Sequence, residues 1–134
     1  MKGMSLLLVE DHASSRYCLE KALQGSGYTV HSCEDGEDAL KRLTGSRFDV
    51  LVTDLNLPGI NGFDVIRGAR LIQPAMYTVV VTALVTREVK ERVLAERVDG
   101  LFEKPIELDE FLALLDLLPD SVPGRGPGCM EARH

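Results

Sequence analysis

The chain has 134 residues, 45% of them hydrophobic, and a formal net charge of −6. This length and apolar content suit one domain with a real core, and they exclude a largely disordered chain. The negative charge argues against direct nucleic-acid binding and against a polybasic membrane anchor, because both need a basic face. No apolar run approaches the roughly 20 residues that span a bilayer. Reduced thiols and a cytoplasmic location are expected from three cysteines without metal-site or CxxC spacing, Cys18, Cys33 and Cys129.

Strand-like and helix-like segments alternate along the chain. In chain order the predicted elements are strand 5–9, helix 14–24, strand 28–32, helix 37–43, strand 48–53, helix 63–72, strand 77–82, helix 87–97, strand 101–102 and helix 108–118. Three strands are continuous Val/Leu runs, which is typical of strands covered on both faces. Five β-α units predict an α/β fold with a parallel five-stranded sheet and helices on both faces.

The apolar spacing also predicts which helix faces point inward. For the first helix the predicted inner residues are Tyr17, Leu19, Ala22 and Leu23, with Cys18 beside them and Gly25 as the helix end. For the fourth helix they are Val89, Val93 and Leu94. After residue 118 the chain is rich in proline and glycine. It is predicted to divide into an ordered domain over 4–118 and a flexible tail or linker stub over 119–134.

Acidic residues follow two of the apolar strands. Asp54 ends the third predicted strand, and Glu10 and Asp11 end the first. Open α/β folds bind their ligands at the carboxyl ends of their strands, and the ends of strands one and three should lie side by side. Three acids at one edge repel one another, and a bound hard cation is the usual physical reason to tolerate this. Taken singly, Asp54 is also explained as a surface acid, and Glu10–Asp11 as a cap of the first helix.

Further residues that could take part in binding or chemistry follow the fourth and fifth strands. Thr82 and Ala83 end the fourth strand, Lys104 and Pro105 follow the fifth, and the string Asp-x-x-Leu-Pro-x-x-Asn-Gly runs over residues 54–62. Each piece alone is a weak signal. Together and in this order, over 4–118, they resemble the receiver domain of two-component response regulators. The resemblance implies a flavodoxin-like, doubly wound sheet with strand order 2-1-3-4-5 and five helices.

The resemblance implies a role for each of these residues. Asp54 would be the phosphoacceptor, receiving a phosphoryl group from the phosphohistidine of a sensor histidine kinase or phosphotransfer protein. Mg²⁺ would be held by Glu10, Asp11 and Asp54 and by the backbone carbonyl of Asn56. Thr82 would supply the switch hydroxyl, and Lys104 would pair with the phosphoryl oxygens. The resemblance makes the protein a signalling switch that assists its own phosphorylation and dephosphorylation.

The output of the switch is less determined. The family places an output face on the fourth helix, fifth strand and fifth helix, with an aromatic residue three positions before the lysine. Here that position is Leu101, while Phe102 should point to the opposite side of the strand. The cognate kinase, the output partner or effector domain, dimerisation after phosphorylation, and the effects of Leu101 and Leu84 are left open.

Two rival functions also stay open. The first is a Mg²⁺-dependent phosphatase with an aspartyl nucleophile, which usually carries a general acid two residues later. That position is Asn56, which cannot donate a proton in that role. The second rival is a degenerate receiver that acts only as a binding module.

Overall fold

A computed structural model of the chain describes residues 3–118, and within that range it contains five strands and five helices. The strands are β1 (Ser5–Val9), β2 (Thr29–Cys33), β3 (Val50–Asp54), β4 (Tyr77–Thr82) and β5 (Gly100–Glu103). The helices are α1 (Ala13–Gly25), α2 (Gly36–Gly45), α3 (Gly62–Ile72), α4 (Arg87–Ala95) and α5 (Leu108–Leu117). Each predicted element is present, and its ends differ from the predicted ones by at most two residues. The predicted tail over 119–134, including Cys129, lies outside the described residues.

The strands form one parallel sheet in the order β2-β1-β3-β4-β5. This confirms the predicted flavodoxin-like, doubly wound fold. Every residue of β3 and β4 is buried, because these central strands are covered on both faces. One apolar core on one side of the sheet includes Leu6, Leu8, Leu19, Leu23, Phe111 and Leu115. The core on the other side includes Leu7, Val9, Ala39, Leu43, Ile66 and Ala69. No helix among residues 3–118 combines the length and apolarity needed to cross a bilayer.

The inner face of α1 is narrower than predicted. Leu19 and Leu23 are buried and Ala22 is half-buried, but Tyr17 is 62% exposed and Cys18 is also exposed. Residues 19 and 23 are one turn apart and alone complete the stripe toward the sheet, so residues 17 and 18 turn away from it. The Tyr17 ring instead lies beneath the ammonium of Lys21, 5.4 Å from its centroid.

The end of α1 also differs from the prediction. Gly25 is the last helical residue and not the residue that stops the helix, and the left-handed residue is Gly27, with φ of 100°. The Gly27 amide donates to Gln24 O at 3.0 Å and the Tyr28 amide to Leu23 O at 3.2 Å. This pair of bonds ends a helix on a left-handed residue, which favours glycine.

Helix α4 is shorter and less buried than predicted. It ends at Ala95, and Arg97 follows in the left-handed region with φ of 57°. Val93 is buried and Val89 partly so, but Leu94 is 78% exposed, which corrects its predicted inward position. A helix that buries so narrow a stripe leaves its next apolar residue in solvent.

Gln73 ties three segments together at the end of the domain opposite the candidate site. Its Nε2 donates to Leu43 O at 2.8 Å and Ser46 O at 2.6 Å, and its Oε1 accepts from the Phe48 amide at 2.9 Å. These bonds join the end of α2 and the approach to β3 to the end of α3.

We expect Gln73→Ala to lower the free energy of unfolding by about 2 kcal/mol, because three backbone groups lose their partner. Urea denaturation followed by circular dichroism measures this. The matched control is Gln24→Ala, which removes one exposed bond of 3.5 Å and should change stability by less than about 0.5 kcal/mol. Equal losses in the two variants would contradict the role given to Gln73.

Candidate functional site

The sheet register brings the predicted site residues to one edge. Val9 pairs with Thr53 across β1 and β3, so Glu10 lies beside Asp54. Asp54 pairs with Val81 of β4, and Thr82 pairs with Glu103 at the end of β5. Parallel strands bring all their carboxyl ends to one edge, which explains the convergence.

Three carboxylates meet at this edge. Glu10, Asp11 and Asp54 each offer an oxygen within 4.8 Å of the others. Glu10 is 1% exposed and Asp54 is 6% exposed, whereas Asp11 reaches solvent. The Oε2 oxygen of Glu10 accepts from the amide of His12, the residue before α1, at 3.1 Å. This bond holds the residue before the helix, and it does not cap the first-turn amides of α1.

Lys104 provides the cation that compensates the two buried acids. Its Nζ lies 2.7 Å from Glu10 Oε1 and 2.8 Å from Asp54 Oδ2. Burial acts to lower the pKa of Lys104, but the hydrogen bonds to Asp54 and Glu10 and the charges of both acids outweigh it. The pKa therefore lies above the ordinary 10.5. The ammonium stays charged at neutral pH and screens the repulsion between the two carboxylates.

The loop after β3 holds the second oxygen of Asp54. The Asn56 amide donates to Asp54 Oδ1 at 3.1 Å. Gly59 lies in this loop with φ of 80°, a left-handed conformation that favours glycine. Gly62 begins α3 directly against the Asp54 carbonyl, and a Cβ there would also lie 2.9 Å from Leu55 Cα. Only glycine lets α3 approach the backbone beneath Asp54 this closely.

Thr82 and the fifth strand lie next to the carboxylates. Thr82 is buried, and its carbonyl accepts from the Lys104 amide at 2.8 Å. Phe102 packs edge-on against Phe111 of α5, at 5.1 Å between ring centroids. Leu101 packs against the core on the opposite side of the sheet. This confirms that Phe102 points away from the side of Leu101.

Arg16 is a residue of this site that the sequence analysis missed. Its Nη1 donates to the Glu10 carbonyl at 2.9 Å and to the Asp11 carbonyl at 3.4 Å. The available signal was its position in the first turn of α1, where the helix dipole favours acids and this helix has none. A cation in that place needs a local anion or carbonyl to offset the dipole.

Cys33 lies beside the site without taking part in it. Its carbonyl accepts from the Glu10 amide at 3.1 Å. Burial, together with the nearby charge of Asp38, raises the pKa of the Cys33 thiol to about 12. Cys18 is exposed on α1.

We expect iodoacetamide at about pH 8 to modify Cys18 in the native protein and to spare Cys33, because only an accessible thiolate reacts. Peptide mapping after alkylation, with and without urea, measures each site separately. Modification of Cys33 at the rate of Cys18 in the folded protein would show that this thiol is neither buried nor held neutral.

Comparison with known proteins gives the family. Residues 6–116 match the model of the response regulator receiver domain. The chain is 34% identical over 134 residues to the transcriptional regulatory protein TcrA of Mycobacterium tuberculosis, covering 98% of this chain and 52% of that protein. It is 36% identical over 115 residues to the two-component response regulator PhoP of Pseudomonas aeruginosa, covering 86% of this chain and 51% of that protein. It thus spans about half the length of these relatives.

Solved structures agree with this assignment. The Thermotoga maritima response regulator TrrA, in complex with Mg²⁺ and BeF, superimposes with a TM-score of 0.76 at 28% identity, covering 87% of this chain and 97% of that one. A CheY-like receiver domain protein from Methanospirillum hungatei shares the fold, with a TM-score of 0.81 at 21% identity, covering 84% and 90%. With the matched family model and the converging strand ends, these likenesses show that the chain belongs to the response regulator receiver domains of two-component systems.

Proposed function

We propose that this domain is a phosphoacceptor switch in which Asp54 takes a phosphoryl group from the phosphohistidine of a sensor histidine kinase or phosphotransfer protein. The supporting observation is the buried pair of carboxylates, Glu10 and Asp54, bridged by the Lys104 ammonium at 2.7 and 2.8 Å. A structural acid at a strand end does not require a second buried acid and a shared lysine. A carboxylate that must accept a phosphoryl group does require cations beside it.

The transfer is a displacement at phosphorus. A carboxylate oxygen of Asp54 forms the new P–O bond as the P–N bond to the donor imidazole breaks, and that nitrogen keeps the electron pair. Repulsion between two anions opposes the attack, and positioned cations reduce it. Lys104 supplies one such charge next to Asp54 Oδ2 and is placed to pair with phosphoryl oxygens. The Asn56 amide holds Oδ1 and so orients the nucleophile.

The acids also suit a divalent ion. Mg²⁺ binds through a few carboxylate or carbonyl oxygens and keeps several waters, which fits a cluster of two buried carboxylates and one, Asp11, that reaches solvent. We assign Asp11 and Asp54 as direct ligands, Glu10 as a ligand through water, and the Asn56 carbonyl as a further ligand. When bound, Mg²⁺ neutralises charge that builds on the phosphoryl oxygens.

The switch begins at Thr82. Phosphorylation adds charge and three strong acceptors at Asp54, and the Thr82 hydroxyl, one residue beyond Val81 in the neighbouring strand, moves to donate to one of them. This draws the loop before α4 toward the site and repacks the face of α4, β5 and α5. Leu101 fills the place where the family commonly has an aromatic residue, so an apolar side chain transmits the shift. The weakly buried α4, with Leu94 in solvent, is suited to move.

The partners follow from this role. A histidine kinase or phosphotransfer protein supplies the phosphoryl group, and an output partner or effector domain reads the α4-β5-α5 face, with homodimerisation as one form of output. The acidic charge supports a domain that does not itself contact nucleic acid. We place the switch in the cytoplasm, as a domain over 4–118 followed by a tail or linker stub over 119–134.

The experiment is incubation of the protein with Mg²⁺ and acetyl phosphate, followed by intact mass spectrometry. We expect one phosphoryl group, stable in acid and labile in base, that maps to Asp54. No added mass would overturn the proposal. Multiple turnovers of a phosphomonoester would favour the phosphatase, and Mg²⁺ binding without phosphorylation would favour the degenerate receiver.

A further inference from the structure

Arg16 is the one basic side chain that reaches the backbone of the Glu10–Asp11 pair among the described hydrogen bonds of residues 3–118. Its Nη1 lies 2.9 Å from Glu10 O and 3.4 Å from Asp11 O. The side chain is only 20% exposed, and its Nη2 lies 3.9 Å from the carboxylate of Glu34, which is 74% exposed. The closest contacts of the guanidinium are therefore those with the two carbonyls.

The segment that Arg16 holds is short and carries the acids. Residues 10–12 connect β1 to α1. Glu10 is fixed on its own account, because its amide donates to Cys33 O at 3.1 Å and its carboxylate accepts from the His12 amide and from Lys104. Asp11 is exposed, and the described contacts of its backbone run to Arg16. The direction of the Asp11 carboxylate thus depends on a backbone that Arg16 fastens.

We infer that Arg16 is a positioning residue for the divalent ion: it holds the Glu10–Asp11 backbone so that the Asp11 carboxylate stays turned toward Asp54. This inference rests on the proposed function and adds to it a residue that touches none of the reacting atoms. Arginine suits the task, since its planar fork presents several donors and is less strongly hydrated than an ammonium. Loss of a partner that orients a metal ligand typically lowers metal affinity about 10- to 100-fold.

Loss of the Arg16 charge and loss of its hold on the Glu10–Asp11 backbone would change the Mg²⁺ affinity in opposite directions. A positive charge near a cation site repels the cation, so loss of the charge alone would tighten Mg²⁺ binding. Loss of positioning would weaken it. The sign of the change in affinity therefore separates the two effects.

The experiment is a titration of the ¹⁵N-labelled full chain with Mg²⁺, following amide chemical shifts near residues 10–12 and 54–56. The proteins compared are the wild type, Arg16→Gln, and the control Arg42→Gln, which removes an equal charge from an exposed ion pair with Asp38. We expect Arg16→Gln to raise the Mg²⁺ dissociation constant about tenfold, which is the lower end of the range for outer-shell partners. Arg42→Gln should stay within about twofold of the wild type.

A kinetic measurement gives a second readout. With acetyl phosphate as donor, Arg16→Gln should shift the Mg²⁺ midpoint of phosphorylation by the same factor as the binding constant. The rate at saturating Mg²⁺ should stay near that of the wild type, because Asp54 and Lys104 are unchanged. A loss that no Mg²⁺ concentration restores would overturn a positioning role.

Unchanged or tighter Mg²⁺ binding in Arg16→Gln would also overturn the inference and leave the phosphoacceptor function standing. A wild type that binds no Mg²⁺ would overturn both. If Arg16→Gln does not fold, Arg16→Lys provides the test. Lysine keeps the positive charge, but its terminal nitrogen is one bond closer to the backbone than those of arginine. We expect it to weaken Mg²⁺ binding about threefold, and unchanged or tighter binding would refute the inference.

Discussion

Replacement of Asp54 by asparagine is expected to abolish phosphoryl incorporation while leaving the fold intact. The asparagine side chain has nearly the same shape, and its Oδ1 still accepts from the Asn56 amide. The amide group is not a nucleophile toward phosphorus at neutral pH, so no acyl phosphate forms. Lys104 keeps its bond of 2.7 Å to Glu10, so the remaining buried acid stays paired.

Intact mass spectrometry after incubation with acetyl phosphate and Mg²⁺ measures this loss. Asp109→Asn is the matched control, because Asp109 is exposed in the first turn of α5 and does not belong to the cluster of Glu10, Asp11 and Asp54. It should accept a phosphoryl group like the wild type. Labelling of Asp54→Asn at the wild-type rate would show that the phosphoacceptor lies elsewhere.

Replacement of Lys104 by methionine is expected to destabilise the folded domain. Methionine keeps much of the apolar stem and removes the charge between Glu10 and Asp54. Removing one partner of a fully buried ion pair costs about 3–5 kcal/mol, because the remaining charge is left uncompensated. The Lys104 side chain is 21% exposed, so we expect a smaller loss, about 2 kcal/mol.

Magnesium should partly reverse this loss. Without Lys104 the three carboxylates carry more uncompensated charge, so Mg²⁺ binds them more tightly and stabilises the folded state more. Thermal denaturation with and without Mg²⁺ should therefore give a larger upward shift for Lys104→Met than for the wild type. The control Lys41→Met replaces an exposed lysine of α2. Its stability, and the rise in its denaturation temperature with Mg²⁺, should equal those of the wild type.

Equal Mg²⁺ shifts in Lys104→Met and the wild type would contradict the compensating role of the ammonium. Phosphorylation gives an independent check, since the variant should accept phosphoryl groups more slowly even when Mg²⁺ saturates it.

The pKa of Lys104 is raised in the fold, so its stabilisation is fully present below the ordinary value of 10.5. It is lost only as pH rises through the higher folded value. The comparison near neutral pH therefore measures the fully charged lysine.

The sequence determined the elements and the chemistry at their ends. Continuous Val/Leu runs predicted β3 and β4. Their positions at or just after strand ends indicated Asp54, Thr82 and Lys104 as candidate site residues. These signals are local: strand and helix periods are set by backbone geometry, and an acid that ends an apolar run is visible within a few residues. The turn at Gly59 was predictable for the same reason.

Contacts between side chains that are distant in sequence depend on how the strands and helices assemble. Lys104 and Glu10 bond across 94 positions of sequence, and the direction of Arg16 depends on where the Glu10–Asp11 carbonyls point. The exposure of Tyr17 and Leu94 was likewise decided by packing. A helix pattern gives an apolar flank, but the sheet and the neighbouring helices determine how much of that flank is covered. Contacts between distant residues and the width of a buried stripe arise from strand order and helix placement, which no local pattern specifies.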